Sequence, residues 1–332
     1  MSQVSGGLHL APKPFFSVGG LSDDPRREFS ANHWSLTAAR LGNGNVVVMD
    51  EHELKFFSDD GRLLRVSGRR GRGPGEFLMT RDLCRIRGDT LLIVDANDGR
   101  LSIWSGNGDH VKTYARAGFT AFDSCRNDGA VIIRGGPNPR DDEQSPDYRL
   151  IRADGTVLGR LGKLAEPRYV SPVMTEPSIV PIPGGYVVGD GRRFAFRRVR
   201  NDGTIAMIVR SSEPQKRLSQ SEWLELARRT WPTSAATASR VANGDTLRTL
   251  PAYSTIKSDQ IGRVWVLDYA PPRKWTVFGP DGGILGRFSL ESGFGFSNSE
   301  IVRTESDHVV IRRKDSNGAV YLEFHRILTG SR

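Results

Sequence analysis

Cysteine is nearly absent: Cys84 and Cys125 are the only two in 332 residues. Two thiols without a CxxC pair cannot build a four-ligand metal centre alone, nor do they supply the framework of a disulfide-stapled fold. Adjacent inner strands are not expected to bring their Cα atoms within the roughly 7 Å that a bridge requires, so two buried free thiols are the expectation. Long apolar runs are also missing. No stretch reaches about 18 apolar residues, which argues against a membrane-spanning helix. The opening Met1–Gly7 has no basic segment followed by an apolar one, so it does not read as an export signal. The chain is then cytoplasmic, or a mature domain whose signal has been removed. Catalytic signatures are equally sparse. There is no GxxxxGK[ST] phosphate loop, and His9, His33, His52, His110, His308 and His325 show no HxH or HExxH spacing. His33-Trp34 and His308, near inner strands, are the only histidine candidates. Asp141-Asp142-Glu143 lacks the alternation that wraps Ca²⁺ and reads as a solvated loop. No metal and no cofactor is expected.

What the chain has is glycine, 37 residues, with 18 prolines and a hydrophobic fraction of 37%. That mixture suits many short strands joined by tight turns. Asp60-Gly61, Asn107-Gly108, Asp154-Gly155, Asp202-Gly203 and Asp281-Gly282 recur with glycine spacings of 47, 47, 48 and 79 residues. Such pairs favour two-residue hairpins. A second turn series precedes them at Asn43-Gly44, Gly88-Asp89, Asp128-Gly129, Gly184-Gly185, Gly262 and Ser306-Asp307. Each leads into an apolar run such as Val46–Met49, Leu91–Val94 or Val264–Leu267, the pattern of a strand covered on both faces. Four strands per 40–50-residue unit is the arithmetic of a β-propeller.

The sixth unit offers Ile301–Thr304, His308–Ile311 and Tyr321–His325, then ends one strand short. Phe15–Gly20 leading to Arg27-Glu28-Phe29 parallels Arg65–Gly68 leading to Gly75-Glu76-Phe77. The N-terminal strand is therefore expected to complete the last blade and remove a free edge. The expected fold is all-β: one six-bladed propeller over 8–328, with four-stranded antiparallel blades. A helical insertion at 213–251 falls between blades 4 and 5, where Ser219-Gln220-Ser221-Glu222 fits a capping box. Trp223, Leu226, Ala227 and Trp231 follow at helical spacing, either as a helix packed on the rim or as a lid over the channel mouth.

Gly68–Phe77 resembles the inter-blade signature of bacterial NHL-type six-bladed propellers, as do the strand-b runs 262–268 and 91–95 with their trailing Asp. The resemblance covers nearly the whole chain and implies the fold. It also implies a periplasmic or outer-surface location, since many relatives are exported or lipid-anchored. The chain departs from enzymatic propellers: it lacks the Glu-Gly-Pro opening and Asn/Asp metal set of gluconolactonase-like and paraoxonase-like proteins, and the histidine trio of the zinc-dependent amidating lyases.

Function is expected on the face carrying the long connections, opposite the Asp/Asn-Gly hairpins. Segment 68–77 reads as structural, with Phe77 wedged between blades and Glu76 satisfying backbone donors, leaving Arg69, Arg70 and Arg72 as a basic rim. Arg81, and Lys257 on an inner strand, add charge. Asp82 and Asp123 fall at matching inner-strand positions two residues before Cys84 and Cys125. They are candidates for a general acid/base pair, or else they bond backbone amides or Arg81. Net charge is +9, with 39 arginines to 8 lysines. This invites nucleic acid or an acidic ligand only where the charge clusters; otherwise it is a compositional bias spread over outer strands. The leading expectation is a non-catalytic, monomeric binding or scaffold propeller recognising a protein, peptide or acidic ligand. A hydrolase or lyase at the channel mouth and a single-stranded nucleic-acid binder are the alternatives.

Overall fold

The computed structural model describes residues 7–30, 35–95, 99–115, 119–126, 128–135, 147–163, 168–170, 173–175, 178–189, 191, 193–211, 215–230, 235–236, 239, 248–270, 272–290 and 299–330. Blade 1 is β3 (Thr37–Arg40), β4 (Val46–Asp50), β5 (Glu53–Phe57) and β6 (Leu63–Ser67). Blade 2 is β7 (Thr80–Arg85), β8 (Leu91–Asp95), β9 (Arg100–Trp104) and β10 (His110–Ala115). Blade 3 comprises β11 (Phe119–Cys125), β12 (Ala130–Gly135), β13 (Asp147–Arg152) and β14 (Val157–Lys163). A separate hairpin of β15 (Arg168–Val170) and β16 (Val173–Thr175), which the repeat did not announce, precedes blade 4. Blade 4 is β17 (Ser178–Ile182), β18 (Gly185–Gly189), β19 (Ala195–Arg200) and β20 (Ile205–Arg210). Helix α1 (Gln220–Thr230) leads to blade 5: β21 (Tyr253–Ser258), β22 (Val264–Asp268), β23 (Trp275–Phe278) and β24 (Ile284–Phe288).

Blade 6 closes the ring as expected. Its own strands are β25 (Ser299–Thr304), β26 (His308–Lys314) and β27 (Val320–Thr329). The outer position is taken by β2 (Phe16–Gly19), with Phe16 opposite Phe324 and Gly19 opposite Tyr321. A further strand, β1 (Leu8–Leu10), extends the clasp along the far end of β27, Leu8 facing Thr329. The inner strands β3, β7, β11, β17, β21 and β25 each touch the next around one axis.

The hairpins differ from expectation in one respect. Ser58 N donates to Arg62 O and Gly61 N to Ser58 O, both at 2.9 Å, which makes a three-residue loop rather than a two-residue one. The same pair of bonds recurs at 105–109, 152–156, 200–204 and 279–283. Gly61 sits at φ 86°, the left-handed residue that follows a type I turn. The preceding Asp fixes the turn by accepting the amide two residues on, as Asp154 does from Thr156 at 2.8 Å.

Strand b reads as a continuous apolar run because each of its faces meets a different blade. Val46 and Val48 pack with blade 6, while Val47 and Met49 pack with blade 2. Six such clusters fill the six seams. The link from blade 1 to blade 2 ends in Phe77, fully buried in its seam and 5.5 Å from the Trp104 ring. Asp95, the residue trailing β8, accepts from Leu78 N at 2.7 Å and Met79 N at 3.0 Å. Buried Arg100 donates to the carbonyls of Arg72, Gly73 and Glu76. The same staple joins blades 6 and 1: Phe29 is the wedge, Asp50 accepts from Ser30 N, and Lys55 Nζ donates to Glu28 O at 2.7 Å. The Asp that trails strand b is thus a clamp on the incoming connection. No helix among the described residues is long and apolar enough to cross a membrane.

Candidate functional site

Near the axis, a side chain held between two carboxylates is one the sequence did not nominate. Arg303, on β25, reaches past blade 1 to Asp82 Oδ1 on β7 at 3.3 Å and holds Glu305 at 2.5 Å on its other side. It also donates to the Leu83 carbonyl. Burial alone would weaken the guanidinium's hold on its proton, but Glu305 and Asp82 outweigh it and keep the pKa above the usual arginine value. Both strands are bulged immediately before these residues, between Thr80 and Asp82 and between Ile301 and Arg303. A bulge re-aims the side chains beyond it, which turns Asp82 and Arg303 towards one another across the ring.

Asp82 is 8% exposed, and its Oδ1 also accepts the Leu83 amide at 2.8 Å. Its Oδ2 lies 3.5 Å from Cys125 Sγ and 3.9 Å from Cys84 Sγ. The two cysteines are joined, correcting the expectation of free thiols. Their Cα atoms are 6.0 Å apart, inside the range a disulfide spans, because β7 and β11 lie side by side at the axis. The bridge therefore ties blade 2 to blade 3. Asp123 falls on β11, two residues before Cys125, and its side chain lies outside the described residues. The partners of Asp82 thus include a cation, a backbone amide and a disulfide.

The 68–77 connection behaves as a staple. Glu76 accepts Gly73 N at 2.7 Å and pairs with Arg69 at 2.7 Å; the Gly73 amide, then Arg69, holds its carboxyl below the usual value. Arg69 is thereby tied to its own loop while remaining 80% exposed. Arg70 and Arg72 are exposed on the same loop, and the Arg72 carbonyl is held by Arg100. Arg81 is the half-buried residue at the β7 bulge. Lys257 is half-buried on β21, opposite Trp265. The structure thus puts Arg69, Arg70 and Arg72 on one connection and sets Arg81 and Lys257 on separate inner strands.

Helix α1 forms with the capping box expected of it: Glu222 N donates to Ser219 Oγ at 3.3 Å and Ser219 N to Glu222 Oε2 at 2.8 Å. Trp223, Leu226 and Ala227 bury against Leu218, Leu250, Tyr269 and Ala270, so the helix packs on the blade 5 connection. Trp231, His33-Trp34 and Asp141-Asp142-Glu143 lie outside the described residues. Beneath the helix, burial raises the Tyr269 hydroxyl's pKa and lowers that of Arg273, which donates to Ser254 Oγ at 2.5 Å. Sequence reasoning missed Arg303, Glu305, Arg100 and Arg273. Of these only Arg100 had a signal, in the parallel between Asp50…Lys55 and Asp95…Arg100.

These features define a six-bladed β-propeller with an axial ion-pair network and a stapled basic connection on one face. An exported protein from Bacteroides fragilis superposes with a TM-score of 0.58 at 10% identity, covering 99% of this chain and 97% of that one. A member of the DUF4221 family from Bacteroides vulgatus gives 0.55 at 10% identity, covering 98% and 99%. At such identities the likeness is one of fold. No family model matches the chain. No curated protein matches it either.

Proposed function

We propose that the chain is an NHL-like binding propeller of an oxidising compartment, periplasmic or extracellular, which recognises an acidic segment of a protein or peptide. Recognition falls on the face opposite the Asp/Asn-Gly hairpins. The observation that carries this reading is the state of Asp82: the buried carboxylate at the axis is engaged by Arg303 and by the Leu83 amide. A carboxylate so held is a structural anchor, which favours binding over acid/base chemistry. Arg70 and Arg72, displayed on a connection that Phe77, Asp95 and Arg100 hold rigid, offer guanidinium donors suited to carboxylates. Lys257 sits at the other, hairpin end of β21, just before the turn at 259–263, and is left out of this surface. The Cys84–Cys125 bridge favours the oxidising compartment, because such bonds persist outside the cytosol.

The test is binding of a fluorescent acidic peptide library to the full chain and to an Arg70→Glu/Arg72→Glu variant with an unchanged melting temperature. Retained affinity in the variant refutes the assignment. Single-stranded nucleic acid run in parallel separates the nucleic-acid alternative, which predicts affinity that falls steeply and log-linearly with salt.

A further inference from the structure

Three potential metal donors of different chemistry converge at the axis end of the seam between blades 2 and 3. Cys84 Sγ, Cys125 Sγ and a carboxylate oxygen of Asp82 all lie within 4.8 Å of one another. We propose that this is a redox-gated site for a thiophilic divalent metal, of which zinc is the type. The disulfide closes the site and reduction opens it, with Cys84 Sγ, Cys125 Sγ and Asp82 Oδ2 as ligands and a fourth position for water or an external donor.

The geometry requires little movement. Tetrahedral zinc binds sulfur at about 2.3 Å and carboxylate oxygen at about 2.0–2.2 Å, which sets sulfur–oxygen separations near 3.5 Å. Asp82 Oδ2 is already 3.5 Å and 3.9 Å from the two sulfurs. The carboxylate is fixed by its other oxygen, Oδ1, which takes the Leu83 amide at 2.8 Å and Arg303 at 3.3 Å. Fixing one oxygen in this way is what second-shell partners do for a ligating carboxylate. The Cα atoms, 6.0 Å apart, belong to inner strands that stay adjacent through the ring whether or not the sulfurs are bonded. Only the two sulfurs must part.

Charge and softness select the metal. Two thiolates and one carboxylate exceed a divalent cation by one negative charge, and the Arg303 guanidinium stands against the same carboxylate. Two thiolates exclude the hard cations Mg²⁺ and Ca²⁺ in favour of zinc-like ions. Cys84 is 1% exposed among Leu92, Val94 and Val131, an apolar wall that keeps water off one side, while Cys125 is half-buried and gives entry. Opening is a balanced two-electron step. An external dithiol becomes a disulfide, the Sγ–Sγ bond breaks, and each cysteine sulfur gains one electron and one proton. Metal binding then releases both thiol protons to solvent.

The probe is Co²⁺ added to the full chain under anaerobic conditions, before and after reduction and removal of the reductant. Reduced protein should take up one Co²⁺ per chain with thiolate-to-cobalt charge-transfer absorption, displaced by Zn²⁺, while oxidised protein takes up none. Cys84→Ser should lose most of that absorption. Asp82→Asn should weaken binding by at least the ~10–100-fold that loss of an outer-shell partner costs a metal site. In the unaltered chain, Zn²⁺ should protect Cys84 and Cys125 together from alkylation, a readout that survives if the Asp82 variant misfolds. Absence of charge-transfer absorption in the reduced chain, alkylation indifferent to Zn²⁺, or full affinity in a folded Asp82→Asn variant each overturns the proposal.

Discussion

Replacing Phe77 by alanine tests whether the connection between blades 1 and 2 is held by a wedge. The ring is fully buried among Leu54, Phe56, Leu83 and Trp104, drawn from both blades. Neither sheet can follow a retreating side chain without parting from its other neighbour, so the site cannot collapse to fill the void. A Phe→Ala change in such a core costs about 3–5 kcal/mol. Unfolding entropy of about 2.1 cal/mol/K per residue over 332 residues gives roughly 0.7 kcal/mol/K, so the melting temperature should fall by about 4–7 °C for a ring that melts as one unit. Differential scanning calorimetry measures that drop, and Trp104, whose ring stands 5.5 Å away, should shift its emission. Hydrogen exchange should quicken first at 68–80 and along β6 and β7. A melting temperature lowered by less than about 1 °C, or exchange that quickens evenly around the ring, would show that the wedge does not hold this seam.

Three other perturbations follow from the same seams. Arg263→Met should cost about 3–5 kcal/mol by removing the cation from the Asp259 carboxylate, whose side chain is 0% exposed, pairs with Arg263 at 2.5 Å and would keep only neutral N–H donors; adding Asp259→Asn should recover much of the loss in a denaturant titration. Gly286→Val should drive a Cβ into the Leu8 carbonyl and dislodge β1 while β2 stays paired, so limited proteolysis should trim the first dozen residues without opening the ring. Glu76→Gln should flatten the acid limb of stability. The Gly73 amide, then Arg69, depress the folded pKa from 4.5, so the stabilisation is present above that value and is lost as pH falls through the lower folded one. Melting curves at stepped pH should therefore converge for the two proteins at the acid end and separate above it; identical slopes would refute the role.

The ring was legible because its signals are local and repeated. Asp154 marks a turn by bonding an amide two residues away, and Val46–Met49 betrays a doubly covered strand without reference to the rest of the chain. The closing strand was legible through Glu28-Phe29, a copy of Glu76-Phe77 that places its blade. The axis was not. Asp82 and Arg303 are 221 residues apart, and each follows a bulge that period-two alternation does not register. The same alternation put Asp82 and Cys84 on one face but carried no distance to Cys125, so the disulfide was weighed and set aside.

The arginine excess has a role that composition does not display. It is in part the fastening of the seams. Arg65 donates to Asn107 O, Arg85 to Arg40 O, Arg126 to Ile182 O, Arg198 to Gly262 O and Gly279 O, and Arg263 to Glu305 O, each from one blade to a neighbour. Carbonyls at a turn tip point in divergent directions. A planar fork of five donors can meet two of them at once, as Arg198 does, and it is pre-organised, so less conformational freedom is lost per bond than with an ammonium on a flexible stem. Arg198 shows what such a position costs: burial lowers its pKa, and the charge is retained beside Asp281 and Asp259. Net charge therefore overstates the surface offered to an acidic partner, and charge reversal at a seam arginine should lower stability before it lowers affinity. Reversal at Arg70 should do the opposite, which makes the order of the two losses the means of separating fastening from recognition.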